Sequence, residues 1–291
     1  MKILQIPILV SAICLCLLSG CLPNKKLTVA ATATLLEGVS KSAFQQSDLK
    51  LVREGIPAYL MLMDGMVESV PDNADLLIGA AQTYSSFASA FIEETDPEYA
   101  KPLYRRARDY SLRSLEVRGF ADPAGSPFDD FRKKVEDCGG KDVPYLFWAA
   151  TSWGSWIRLN LDSMEALAEL PRVELMMKKV LQLDEGFYYG GPHIFMGIWF
   201  ASWPRDAGGD LKKAQEHFLK ALEIGQGKFL MTHVYYADFY ARRALDKDLF
   251  VSTLRKVLET PVDISPQVTL LNAVARKKAA ELLDKEKEIF E

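Results

Sequence analysis

From residue 31 to the C-terminus, apolar positions recur every three to four residues, the spacing that gathers them on one face of a helix. Strand-like alternation is absent and β-branched clusters are few. Pro and Gly collect between the periodic segments, at Pro71-Asp72-Asn73, Asp122 to Pro127, Gly139-Gly140, Gly190-Gly191-Pro192, Gly208-Gly209 and Gly225-Gln226-Gly227. Such clusters end helices and turn the chain. The pattern predicts an all-α domain over 31–291, with helices joined in hairpins.

The predicted helices differ in how much of their surface is apolar. Residues 143–158 are apolar nearly all round, which predicts a helix enclosed by others. Residues 210–224 divide into a charged face, which includes His217, and an apolar face, so this helix is expected on the outside with Asp210 capping its start. A last helix, about 265–290, ends in a Lys/Glu run that reads as a solvated face.

Small and large apolar residues also recur in a pattern of their own. After the Pro71-Asp72-Asn73 turn come Leu77, Ala80, Ala81 and Tyr84, then Ala100, Tyr104 and Ala107. Ala214, Phe218 and Ala221 repeat the second spacing, preceded by Gly197 and Phe200. Weaker copies are Ala150 and Trp153 with Val173, Met177 and Val180, and Ala237 and Tyr240 with Phe250, Leu254 and Val257. Small residues let two helices approach and large ones fill the holes. The arrangement resembles tetratricopeptide (TPR) helical-hairpin repeats in a single compact array, although the gaps at 91–99 and 201–210 are longer than that repeat requires.

The N-terminus bears on compartment. Met1-Lys2 is followed by an apolar run from Ile3 to Leu18, too short to span a membrane, and then by Leu18-Ser19-Gly20-Cys21. This ending resembles the lipobox of bacterial lipoproteins. The resemblance implies a signal peptide over 1–20, a lipidated Cys21 and a tether over 21–30, with Lys25 and Lys26 near the membrane. The residue after Cys21 is Leu22 rather than Asp, which leans toward the outer membrane. Only Lys2 is lost with residues 1–20, taking the formal charge from −4 to −5. No basic block or stripe is present, which argues against nucleic acid. With Cys14 and Cys16 removed and Cys21 acylated, Cys138 is left alone, so no internal disulfide is expected.

Several blocks carry a more specific likeness. They are Asp142 to Ile157, with its three Trp; Leu170-Pro171-Arg172-Val173-Glu174; Leu183 to His193; and Gly208 to Ala214. Pro71 to Leu77 and Tyr104 to Tyr110 belong with them. Together these resemble the T component associated with TRAP transporters (the TatT family), from about Ala30 to the C-terminus. The resemblance implies a periplasmic lipoprotein accessory to a tripartite ATP-independent transporter. It further implies a homotrimer that partners the solute-binding subunit and holds a hydrophobic or amphipathic organic-acid ligand, with the membrane touched only through the lipid. A TPR lipoprotein scaffold for outer-membrane or pilus assembly is the alternative reading.

Two segments are candidates for a ligand or pore lining. Trp148, Trp153 and Trp156 share helix 143–158 with Thr151, Ser155 and Arg158, whose spacing places them on one face. A polar stripe on an enclosed helix suits a wet channel or cavity, and an Arg there must be paired or wetted. The same residues also suit ordinary core packing. Tyr188, Tyr189 and His193 flank a Gly190-Gly191-Pro192 helix entry, where free N–H groups favour a carboxylate. Chemistry has little support. The three His lack metal or base spacing, no Gly-rich phosphate loop occurs, and Glu93-Glu94 and Asp129-Asp130 read as surface charge. No enzyme activity, metal or cofactor is expected.

Overall fold

A computed structural model describes residues 38–291; the signal peptide, Cys21 and the tether lie outside the described residues. Among the described residues there are helices and no strands. In chain order they are α1 (Leu49–Ser69), α2 (Ala74–Phe87), α3 (Pro97–Val117), α4 (Phe128–Glu136), α5 (Val143–Arg158), α6 (Met164–Ala168) and α7 (Leu170–Leu183). They continue with α8 (Phe187–Ser202), α9 (Leu211–Ile224), α10 (Leu230–Tyr235), α11 (Lys247–Glu259), α12 (Thr269–Asp284) and α13 (Glu286–Phe290). The helix expected over 265–290 is thus divided at Lys285.

Helix starts follow the expected side-chain chemistry. Asp48, Asn73, Asp96, Asp210 and Asp246 each accept hydrogen bonds from otherwise free N–H groups in the first turn. Helices α2 and α10 end in a wider π turn, over Ala88–Ile92 and Tyr236–Ala241. The first carries helical backbone to Ile92 while Pro97 already opens α3, so the gap expected over 91–99 shrinks to four residues.

Hairpins form as α2 with α3, α5 with α7, α8 with α9 and α10 with α11. The first helices also pack on one another, α2 on α5, α5 on α8 and α8 on α10, whereas the second helices do not pack closely together. The array therefore curves with its first helices inside. It also closes: α12 packs on α1, and Lys278 pairs with Glu94 just beyond α2. Most positions read as repeat-like are core, while Phe200 and Tyr240 are half-buried. Ala100, Tyr104, Ala107, Ala214, Phe218 and Ala221 are all buried, as are Val173, Met177, Val180, Phe250, Leu254 and Val257. Asp64 of α1 fastens the first hairpin, accepting from Tyr84, Tyr110 and Arg106 at 2.7–2.9 Å. No helix among the described residues is long and apolar enough to cross a membrane.

Candidate functional site

Helix α5 meets α2, α3, α7 and α8, and these neighbours cover most of its surface. The remaining flank is the one that carries Thr151, Ser155 and Arg158. Thr151 and Ser155 are half-buried and Arg158 keeps 41% of its side-chain surface accessible. Burial is nonetheless the largest influence on the ionisation of Arg158, and it works against the charge. Glu93, at the end of the π turn after α2, grips this guanidinium in bidentate fashion at 2.7 Å and accepts from the Tyr104 hydroxyl at 2.6 Å. Burial alone would raise the Glu93 carboxyl, but Arg158 and Tyr104 hold it below its ordinary value; Arg158 is held above its own.

Side chains from the second half of the chain come close to α5. Tyr235 of α10 lies within electrostatic reach of Tyr104, Arg158 and Tyr188. On α8, Phe195 lies against Gly154 of α5 and stacks on Trp199 with ring centroids 6.2 Å apart. Both rings are half-buried and point away from α9, against whose Phe218 Gly197 is packed. The inner surface thus has hydroxyls and one ion pair toward α5 and aromatic faces toward α8 and α10.

The three Trp of α5 divide between roles. Trp153 is fully buried, and its indole N–H donates to Glu169. Arg108 of α3 joins the same carboxylate through Nη2, 2.8 Å from each oxygen, and lies 4.5 Å from the ring centroid of Trp156 and 5.3 Å from that of Trp153. These contacts clamp α3, α5 and the start of α7. Trp156 is half-buried beside them, its indole N–H without a partner. Trp148 packs edge-on against Tyr188 at 4.9 Å. The stripe residues Thr151, Ser155 and Arg158 thus share one partly open flank of α5, Trp148 meets Tyr188 and Trp153 lies in the core.

At the entry to α8, Tyr188, Tyr189 and Gly190 form a left-handed turn, with φ of 48°, 60° and 77°. Two Tyr in this conformation carry strain that the surroundings must offset. The offset is aromatic packing: Tyr188 sits among Phe147, Trp148, Phe187 and Phe229, and Tyr189 stacks on Phe229 at 5.2 Å. The right-handed helix begins after Gly190 and places His193 in its first turn. There the chain supplies its own carboxylate: Glu185 Oε2 lies 3.2 Å from His193 Nε2. The other nitrogen, Nδ1, lies 2.9 Å from Nδ1 of His217, so one ring donates and the other accepts.

His217 corrects its sequence reading. It is half-buried, stacked on Phe200, and not on the solvated face of α9; burial, then His193 and Lys213, lower its pKa to about 4. The surface-charge reading of Glu93 is likewise overturned by its grip on Arg158. No periodicity marks that pair, because the partners are 65 residues apart and meet only when α5 packs on α2. Cys138 is buried, and burial above all pushes its thiol up to about 11, far from thiolate chemistry. Among the described residues, no three His, Cys, Asp or Glu side chains gather in a way that could hold a metal ion.

Residues 45–290 match the sequence model of the family described as TRAP transporter T-component. No curated protein matches the chain.

Proposed function

The chain belongs to the TRAP transporter T-component family, and from that premise we propose that it serves the transporter as a periplasmic lipoprotein, docking the solute-binding subunit and holding a hydrophobic or amphipathic ligand. Cys21 is the residue we assign to the lipid, and the outer membrane is its proposed seat. The observation that carries the ligand reading is the inner flank of α5. Thr151, Ser155 and Arg158 lie in a polar stripe there, half-buried or exposed, with 41% of the Arg158 side chain accessible. The closure of the array through Lys278 and Glu94 favours an enclosed site over an open peptide groove, and so favours this reading over a pilus or outer-membrane scaffold. Family membership makes a transport accessory, not an enzyme, the natural role.

Sedimentation velocity tests the docking. The protein is run alone and mixed with the TRAP solute-binding subunit of the same organism. The expected result is a homotrimer that shifts to a larger complex. A monomer that ignores that subunit contradicts the reading and moves the weight to the scaffold alternative.

A further inference from the structure

One side of α1 is apolar and uncovered. Leu51, Met61 and Leu62 keep 58%, 76% and 47% of their surface accessible, and Gly55, Ala58 and Gly65 are exposed with them. The spacing 51, 55, 58, 62 and 65 gathers five of these residues into one stripe, with Met61 at its edge. The core side of the helix is a different one, built from Val52, Leu60, Met63, Met66 and Val67. Single apolar side chains are ordinary on a surface, but a contiguous set along one helix marks an interaction face.

Shape and charge both say what covers it. Glycine is unfavourable inside a helix, and a Cβ placed on Gly55 or Gly65 would meet nothing within 4 Å. No contact among the described residues calls for the missing side chains, whereas the close approach of another helix does. The stripe also fits its own copy turned end to end. With Ala58 near a two-fold axis, Leu51 falls over Gly65 of the second copy and Leu62 over its Gly55, so large meets small on both sides of the axis. Lys50 and Glu68, both exposed, lie about five helical turns apart on one flank of the stripe. In an antiparallel pair that flank meets itself reversed, which sets Lys50 of each copy beside Glu68 of the other. A parallel pair would set lysine beside lysine and glutamate beside glutamate. Glu54 and Glu68 on this side also oppose an anionic lipid surface.

We infer that the exposed side of α1 is a docking face for α1 of a second copy of this chain, antiparallel and two-fold symmetric. The inference does not depend on ligand holding or on the proposed trimer. A two-fold patch cannot close a three-fold ring, so a trimer would use other surfaces, and the α1 contact would double whatever unit those surfaces make.

The test is sedimentation equilibrium of the full chain and its variants. Met61→Glu alters a side chain that is 76% exposed, so thermal unfolding should stay unchanged while the mass of the wild-type species halves. Lys50→Glu and Glu68→Lys should each weaken self-association by about 3- to 10-fold. The double variant Lys50→Glu with Glu68→Lys should restore it, because both pairs re-form with their signs exchanged. A double variant that associates no more tightly than the single ones overturns the antiparallel orientation. Equal masses for the wild type and Met61→Glu overturn the α1 contact, and a trimeric mass in both would leave the proposed trimer standing while this contact falls. If the masses are equal and only the wild type co-sediments with phosphatidylglycerol vesicles, lipid covers the face and the second copy is overturned.

Discussion

At Glu93 one carboxylate takes both ends of the Arg158 guanidinium and the Tyr104 hydroxyl. Removing it leaves an arginine without its counter-charge and a buried phenol without its acceptor. Glu93→Ala should therefore destabilise the protein by about 1–3 kcal/mol in denaturant unfolding, below the figure for a fully buried pair because Arg158 is partly wetted. The pH dependence has a definite sign. Arg158 and Tyr104 hold the folded-state carboxyl below its ordinary value of 4.5. The pair's contribution is whole above that value and is lost as pH falls through the lowered one. Melting temperature should drop more steeply below pH 4.5 in the wild type than in Glu93→Gln; equal slopes would contradict the assignment. Sequence reading found Arg158 and its need for a partner but not the partner, because a surface Glu-Glu pair and a buried one look alike until the chain is folded.

Among the elements, α8 depends most on small residues. A Cβ on Gly191 would stand 2.6 Å from the Phe147 ring, and one on Gly197 3.0 Å from the Phe218 ring. Gly191→Ala should lower stability by about 1–3 kcal/mol, since a rigid buried ring must shift. Gly139→Ala, whose Cβ would meet nothing within 4 Å, should leave thermal unfolding unchanged and serves as the control. Hairpin boundaries and the Asp210 cap were legible because Pro, Gly and Asp act locally. The π turns of α2 and α10 were not, since one extra residue in a turn leaves the apolar spacing almost intact. The aromatic run of α5 announced burial but not which ring faces where. Trp153 goes to Glu169 in the core and Trp148 to Tyr188 only because α3, α7 and α8 arrive from particular sides.

For the whole molecule, the curvature follows from the order of contacts. First helices pack side by side, second helices spread, and α12 returns to α1. The inner surface then draws its hydroxyls from α5 and its aromatic rings from α8 and α10. This convergence was only half visible beforehand. The helical period placed Thr151, Ser155 and Arg158 on one face, yet Phe195 and Tyr235 lie on later helices that no local spacing ties to α5. The proposed role asks for a site that can be filled and emptied by exchange with the solute-binding subunit, and the partly open flank of α5 is where we propose it. The most direct measurement is ligand transfer. The solute-binding subunit is loaded with its radiolabelled solute, mixed with this protein, separated, and the label on each is counted. Label should pass to the wild-type chain and fail to pass to Ser155→Trp, which sets an indole on the proposed binding flank of α5. Label that never leaves the solute-binding subunit, or that reaches both chains equally, would contradict the account.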